Sequence, residues 1–395
     1  MTNVRDSDRS YPRIRFNGYS DAWQKRKLGD VSDIKTGSSD LQDADENGKY
    51  PFFVRSQNIQ RSSKYLFDGE AILIPGEGRL GEIFHYVNGK FDYHQRVYKI
   101  SGFVTYAVCG KFIYFQLKYG FKRHALKFTV KATVDSLRLP VISNFPVTLP
   151  EISEQQKIAR LLSNLEVLTT VNQRKVEKYQ TLKKALLQRM FVSGGSDIPQ
   201  IRFNGYSEAW QKRKLGEVAR IVGGGTPSTK NQEFWNGDID WYSPAEINTQ
   251  IYVNKSQKTI TELGLKKSSA QLLPKGTVLF TSRAGIGKTA ILSREGTTNQ
   301  GFQSIIPTLN QLNNYFIFSQ TYKLKHYGEI NGAGSTFVEV SGKQMAKMPL
   351  HVPSITEQTQ IGTLFQSLDN LITVNQRKVE TYKELKKALL QQMFV

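Results

Sequence analysis

Apolar side chains recur at heptad-type spacing in two stretches of the chain. The first holds Ile158, Leu161, Leu165, Leu168, Tyr179, Leu182 and Leu186; the second holds Ile361, Leu364, Leu368, Leu371, Tyr382, Leu385 and Leu389. This spacing belongs to a helix that buries one seam against a partner helix. Ser153 and Thr356 are the expected hydroxyl N-caps, and no Gly or Pro interrupts the first stretch before Gly194. About 38 residues at about 1.5 Å each make a rod of roughly 57 Å. Asn172 and Asn375 take the same central position in the two seams, where a buried polar pair would fix register. Lys175 and Lys378 interrupt the seam beside them, so the middle is expected to be loose.

Between these stretches the pattern changes to short apolar runs bounded by turn residues, which read as strands. "EAILIP" (70–75), "LGEIFHYV" (80–87) and "RVYKI" (96–100) precede a helix near 105–119. "TVLFTS" (277–282), "KTAIL" (288–292) and "FQSIIP" (302–307) precede a helix near 313–327. Both helices meet a Tyr-Gly pair, at Tyr119-Gly120 and Tyr327-Gly328, with glycine expected as the C-terminal stop. One fold of α/β or α+β type is thus expected twice.

The chain also repeats itself literally. "IRFNGYSDAWQKRKLGDV" (14–31) returns at 201–218 with only Asp21/Glu208 and Asp30/Glu217 changed. Residues 150–192 match 353–395 without a gap. The intervening inserts, about 32–149 and 219–352, share almost no identity. The division expected is a flexible tail 1–13, a domain 14–149, a helix 150–192, a linker 193–200, a domain 201–352 and a helix 353–395. A near-identical frame around unlike inserts suggests one scaffold carrying two different readers. The cheapest partner for each long helix is the other copy, the alternative being that each packs on its own domain; in an antiparallel pair the central positions would face one another and the inserts would sit at opposite ends.

Composition narrows the function. A net charge of +20 and a pI near 9.7 suit a surface that attracts a polyanion. No apolar run approaches the roughly 18 residues of a membrane span, and the polar N-terminus lacks a signal-peptide pattern, so a cytoplasmic protein is expected. The lone Cys109 and five scattered histidines allow neither a disulfide nor a metal site. "SRAGIGKT" (282–289) mimics the end of a phosphate loop, but Ser282 stands where glycine is required and the first insert has "GEGRLGEI". Nucleotide hydrolysis is not expected, and a turn presenting Arg283 and Lys288 to a DNA backbone fits better. No signature of amino methylation, of a nuclease or of an activated nucleophile is found, which makes this a chain that binds rather than catalyses.

The candidate DNA contacts lie in loops rich in Arg, Lys, Asn and Gln, the types that pair bidentately with guanine and adenine edges. They are Arg55, Asn58, Arg79, His94, Gln95 and Arg96 in the first insert. In the second they are Thr226, Ser228, Lys230, Arg283, Lys288, Asn299, Gln300 and Gln303.

The chain resembles the specificity subunit of type I restriction-modification enzymes over nearly its whole length. The resemblance rests on the repeated leading motif, on "GGGTPS...N..FW.GDI.W" opening the second insert, on the "R.GIGK" turn, and on the "EQ..I" helix starts at Glu154-Gln155 and Glu357-Gln358. The first insert departs from it with "TGSSDLQD". The resemblance implies an α+β protein with two α/β-type target recognition domains, related by pseudo-twofold symmetry and separated by a long antiparallel two-helix coiled coil. Each domain would read one half of a bipartite site in double-stranded DNA. It further implies that two modification subunits dock on the frame and that restriction subunits join them. S-adenosylmethionine, ATP and Mg would be bound by those partners and no cofactor by this chain. A stand-alone DNA-modifying or NTP-dependent enzyme, and a coiled-coil scaffold without DNA readout, are the alternatives.

Overall fold

The computed structural model describes residues 11–128, 136–283, 285–332 and 339–394; most of the tail read over 1–13 lies outside them. The chain forms two compact units, Met1–Gln173 with Gln376–Val395, and Arg174–Asn375. The division falls inside both long helices, so each unit owns part of each.

Unit 1 comprises β1 (Gln24–Lys27), β2 (Asp33–Thr36), β3 (Tyr50–Phe53), β4 (Ile59–Ser62), β5 (Phe67–Pro75), β6 (His85–Tyr93), β7 (Val97–Ser101), α1 (Gly110–Ala125), α2 (Leu139–Ser143), β8 (Pro146–Leu149) and the first part of α3 (Ile152–Arg189). Its main sheet runs β2-β7-β5-β6-β3-β4, antiparallel throughout except for the β3/β6 pair. The run Ala71-Ile72-Leu73-Ile74 is wholly apolar because both faces of β5 are covered. Ile72 and Ile74 meet Phe112, Phe115 and Phe121 of α1. Ala71 and Leu73 face Phe53, Phe91 and Tyr93 on the other side. Strand alternation with two buried faces leaves no polar position to mark the period.

Unit 2 repeats the plan with β9 (Gln211–Lys214), α4 (Leu215–Val218), β10 (Ala219–Gly223), β11 (Trp235–Tyr242), β12 (Tyr252–Val253), β13 (Lys258–Ile260), α5 (Glu262–Lys266), β14 (Val278–Phe280), β15 (Thr289–Leu292), β16 (Thr297–Thr298), β17 (Gln303–Pro307), α6 (Asn314–Phe318), α7 (Thr321–Asn331), α8 (Gly342–Ala346), β18 (Pro349–Val352) and the part of α9 (Ile355–Met393) up to Asn375. A five-stranded sheet, β10-β17-β14-β15-β12, is accompanied by a three-stranded one, β13-β11-β16. Strand pairs β1-β8 and β9-β18 tie each leading motif to the segment before a long helix.

Several expected boundaries move. Residues 80–84 form a turn and β6 begins only at His85. The helix expected at 105–119 starts at Gly110 and runs to Ala125, and the one expected at 313–327 is split into α6 and α7. Gly120 and Gly328 do not stop their helices. A Cβ on Gly328 would lie 3.0 Å from Ile286 Cγ2 and 3.2 Å from Phe280 Cζ, so this glycine permits close helix-to-sheet packing.

Both long helices exist, at 38 and 39 residues. They begin two residues earlier than the expected caps allow, at Ile152 and Ile355 rather than 154 and 357. Ser354, not Thr356, caps α9 through the Glu357 amide at 3.4 Å, and Ser153 lies inside α3, bonded to the Glu151 carboxylate and the Tyr19 hydroxyl. One column of the seam holds, with Ile158, Leu165, Ile361 and Leu368 buried as expected, and the other moves by one residue. Leu162, Leu165, Val176, Phe365, Leu368, Ile372 and Val379 are buried, whereas Leu168, Leu182, Leu371 and Leu385, expected in the seam, are exposed by 41–44%. Lys175 and Lys378 are exposed too, with Val176 and Val379 taking the inner positions. For that second column the spacing alone offered two positions one residue apart, and the 3.6-residue turn selected the other. Asn172 and Asn375 are buried, and each amide donates within its own helix, to Leu168 O and Leu371 O at 2.6 Å.

Inside each unit the segments of α3 and α9 run in opposite directions. In unit 1 Ile158 shares a core with Met393 and Phe394, and further along α3 Glu166 meets Lys386. In unit 2 Lys183 meets Asp369, and further along α3's chain Phe191 packs on Phe365 at 5.7 Å.

Candidate nucleic-acid interface

Each unit gathers its candidate residues around the same backbone crossing. In unit 1 the residue after β2 is Gly37, whose Cβ would lie 1.9 Å from Tyr93 O; in unit 2 the residue after β10 is Gly224, whose Cβ would lie 1.9 Å from Asn299 O. Only glycine lets the strand exit pass over the turn that follows. Those turns, His94-Gln95-Arg96 and Asn299-Gln300-Gly301, are therefore equivalent, and Gly37 and Gly224 donate to Val97 O and Phe302 O behind them at 3.3 and 3.4 Å. In unit 2 the "GGT" and "W" letters of the opening motif brace this crossing: Trp241 Nε1 donates to Gly225 O at 2.8 Å and Trp235 stacks edge-on against Trp241 at 5.1 Å.

In unit 1 three loops converge. Arg55 follows β3, Glu77 follows β5, and Arg96 precedes β7; Arg55 Nη1 donates to Glu77 Oε2 at 2.9 Å, and Arg96 Nη1 donates to Glu77 Oε1. Burial alone would push the Glu77 carboxyl up, but the two guanidiniums outweigh it and hold it below the usual carboxylate range. Asp40 accepts from Gln95 Nε2 at 3.2 Å and faces His94 Nε2 at 3.1 Å. Its carboxyl is lowered by the Leu41 amide and by His94.

His94 does not fit the reading role assigned to it. It is 2% exposed, with Nδ1 accepting the Arg96 amide at 3.0 Å and Nε2 facing Asp40, so it shapes the turn from within. Arg55, Asn58, Arg79, Gln95 and Arg96 are exposed. Glu77 joins Arg55 to Arg96, while Asp40 holds Gln95 beside His94; Asn58 lies on the loop of Arg55 and Arg79 on the loop of Glu77.

In unit 2, Thr226 Oγ1 donates to Gln300 Oε1, and Asn299 Oδ1 accepts the Gly301 amide at 2.8 Å, which makes Asn299 a turn former. Ser228 and Lys230 are exposed on the loop after Thr226, and Gln303 lies half-buried in β17 opposite Gly223. Arg283 reaches Glu339 at 3.6 Å. Lys288 is exposed on the turn joining β14 to β15. That turn leads into a strand, whereas a phosphate loop opens a helix, so the phosphate-loop reading fails on topology.

Sequence reasoning missed the acids. Asp40, Glu77, buried Asp92, which accepts from Ser39 and Ser62 at 2.7 and 2.9 Å, and buried Asp240, which holds Ser256 and Arg294, organise these loops. Their signal was their presence among base-reading residue types in a chain of net charge +20. Among the described residues no cluster of His, Cys, Asp and Glu could hold a metal ion. Among the described residues no helix is long and apolar enough to cross a membrane.

The family model for the type I restriction modification DNA specificity domain matches twice, over residues 20–181 and 207–383. The chain belongs to that family. The "MjaIX specificity subunit" of Methanocaldococcus jannaschii is 35% identical over 190 residues, 47% of this chain and 44% of that one. The EcoR124I/EcoR124II specificity subunit of Escherichia coli is 27% identical over 62% of this chain and 64% of its own length. These matches span less than two thirds of those relatives. The EcoDI specificity subunit of Escherichia coli is 22% identical over 86% of this chain and 79% of that one. The type I S subunit from M. genitalium shares the fold, with a TM-score of 0.70 at 16% identity over 98% of this chain and 99% of that one. The repeated leading motif and the "EQ" helix starts thereby acquire a structural meaning in this family member. Arg15 binds Glu154 and Arg202 binds Glu357 through two prongs each, while Gln155 and Gln358 accept the Cys109 and Asn313 amides that open α1 and α6.

Proposed function

We propose that this chain is the sequence-specific DNA-binding specificity subunit of a type I restriction-modification complex, each unit reading one half of a bipartite site in double-stranded DNA. The observation that carries this reading is the contrast between frame and loops. The backbone crossing at Gly37 and Gly224 is the same in both units, yet the turns it supports carry His94-Gln95-Arg96 in one and Asn299-Gln300-Gly301 in the other. One scaffold presenting two sets of donors and acceptors suits two unlike half-sites.

The opposed directions of α3 and α9 within each unit support a two-helix antiparallel coiled coil acting as a pseudo-twofold spacer. A rod of roughly 57 Å accommodates half-site centres about 34 Å apart, one turn of duplex. Docking of two modification subunits is supported by the misplaced leucines. Leu168, Val171 and Leu385 in unit 1 correspond by repeat to Leu371, Val374 and Leu182 in unit 2, and all six are exposed at 41–48%. Apolar side chains held in water at duplicated positions suit two copies of one partner. Restriction subunits would complete the assembly in the cytoplasm. Catalysis, S-adenosylmethionine, ATP and Mg would belong to the partners, and this chain contributes selection alone.

The test is co-expression with the cognate modification subunit, followed by long-read mapping of methylated bases. A bipartite motif appearing only when both chains are present supports the proposal. Methylation or ATP hydrolysis by the purified chain alone, or DNA affinity insensitive to salt, would overturn it.

A further inference from the structure

Arg55 and Arg96 meet solvent as a pair already bridged by an acid. Their side chains are 42% and 57% exposed, while the Glu77 side chain between them is 17% exposed. The positive groups point outward over a shielded carboxylate. Each guanidinium has five N–H donors in a fixed fork, so giving Nη1 to Glu77 orients the remaining donors rather than consuming them.

The acid belongs to this reader and not to the scaffold. Backbone hydrogen bonds align the two turns: Gly76 N donates to Arg96 O and Leu137 N to Gly76 O, as Ser282 N donates to Gly301 O and Val340 N to Ser282 O, all within 2.7–3.0 Å. The next residue is Glu77 in unit 1 and Arg283 in unit 2, and the place of Arg96 is taken by Gly301. Unit 2 therefore carries one cation, Arg283, facing Glu339 at 3.6 Å, where unit 1 has two cations bridged by one anion. Two adjacent free arginines would grip any phosphate, an attraction that is independent of sequence. A guanidinium aimed at a guanine edge carries sequence information only if its direction is fixed.

We propose that Glu77 is a specificity-determining positioning residue of unit 1: it holds Arg55 and Arg96 aimed at base edges of a guanine-bearing half-site and cancels charge that would otherwise bind phosphate indiscriminately. This rests on the DNA-reading role proposed above. Unit 2 places Arg283 at the corresponding position, with its acid, Glu339, supplied from another loop, and has no second arginine in the place of Arg96, so its selectivity would rest on other contacts such as Thr226 and Gln300.

The test uses the chain assembled with its modification subunit and two duplex probes, one bearing the mapped methylation motif and one with the unit 1 half-site scrambled. Glu77→Gln is compared with Glu77→Asp and with Asp68→Asn, which removes an exposed negative charge from β5 of the same sheet. Glu77→Gln is expected to tighten the scrambled duplex about 10-fold at about 0.1 M salt, to steepen its log K against log salt slope by about one to two, and to change cognate affinity less than about threefold. Glu77→Asp, which keeps the charge with a shorter reach, falls between, and Asp68→Asn leaves both affinities near those of the parent. An unchanged ratio of cognate to scrambled affinity in Glu77→Gln, or equal tightening by Asp68→Asn, overturns the proposal. If Glu77→Gln does not fold, an unchanged ratio in Glu77→Asp does the same. If the parent complex prefers neither duplex, the DNA-reading role itself falls, and the role of Glu77 with it.

Discussion

Arg202 and Glu357, 155 residues apart, form a two-pronged ion pair: Nε and Nη2 donate to the two carboxylate oxygens at 2.6 and 2.8 Å, and Glu357 is 0% exposed. Arg15 and Glu154 repeat it at 2.7 and 2.8 Å. Each pair clamps a leading motif onto the start of a long helix. Removing one partner strands a buried charge, so Arg202→Ala is expected to cost unit 2 about 3 kcal/mol or more. Arg202→Lys should recover little, since an ammonium cannot make both prongs. Hydrogen exchange during chemical denaturation, read separately for the two units, should show the loss in unit 2 for Arg202→Ala and in unit 1 for Arg15→Ala.

Phe394 closes the core of unit 1 from the end of α9. It is 5% exposed, lies 5.3 Å from Phe112 and 6.4 Å from Trp23, and stacks on Tyr119 at 6.0 Å. Phe191 takes the matching place in unit 2, against Trp210, Phe316 and Phe365. Phe394→Ala should destabilise unit 1 by about 3–5 kcal/mol, the cost of emptying a packed aromatic site. Deleting residues 393–395 should cost at least as much, and unit 2 should keep its own unfolding midpoint.

These two relationships show what was legible in the sequence. The literal repeats announced two copies of one frame, and they could be read because identity needs no physics. The reason for the repetition was not readable: Arg15 meets Glu154, and Trp23 meets Phe112 and Phe394, only across the fold, more than a hundred residues apart in the case of Arg15 and Glu154. The strands of the inserts could be found because apolar runs and turn residues are local signals. The boundaries moved where a tertiary contact overrode them, as at Gly328, which reads as a helix stop and serves as a close-packing site. The seam of the long helices was misassigned by one residue at Leu168 and Leu182, because leucines occupy both the buried and the exposed columns and spacing cannot rank them. Among the site residues, cations and amides were found from type alone. Glu77 and Asp40 were missed because an acid in a DNA-reading loop has meaning only once its arginine or histidine partner is seen beside it.

Acid pH should weaken unit 1 through its histidines. His85, beside Phe53 and the Ser56 carbonyl, and His124, among Phe121, Phe145 and Phe128, both have pKa values lowered, chiefly by burial. A lowered folded value means that the unfolded chain takes the proton first. The stability they contribute is complete above the unfolded value near about 6.5 and is lost as pH falls below it, toward the folded values. Two protons limit the slope to about 2.7 kcal/mol per pH unit. Unfolding midpoints measured from pH 7.5 to 5.5 should fall for unit 1, and His85→Asn with His124→Asn should flatten that dependence while lowering stability at pH 7.5.

The exposed leucines separate folding from assembly. Leu168→Glu and Leu371→Glu lie on the outer columns of α3 and α9, so thermal stability should change by less than about 0.5 kcal/mol, as for ordinary surface sites. The same changes place a charge on the face proposed for the modification subunits. Copurification should drop from two partner copies to one for either single change and to none for the pair, as mass measurement of the complex would reveal. Loss of both copies from one single change would show that the two docking faces do not act separately.

Independence of the two units makes the strongest demand on the proposed function. Unit 2's recognition loops, from Thr226 to Lys288 and Gln300, all fall between residues 219 and 349, whereas the frame contacts that position them, Arg202–Glu357 and Gln358 on the Asn313 amide, keep at least one partner outside that span. Replacing 219–349 with the corresponding insert of another family member, with Asn313 retained, should therefore leave the frame clamped. The expected methylome keeps the half-motif read by unit 1 and the spacer, and exchanges the other half. A four-residue helical insertion after Leu168 should do the reverse. It adds about 6 Å to the proposed rod and changes the spacer by a base pair or two while both half-motifs persist. If the exchange altered both halves, Arg55, Gln95 and Arg96 could not be reading on their own. If the insertion left the spacer unchanged, the long helices would not be what measures it.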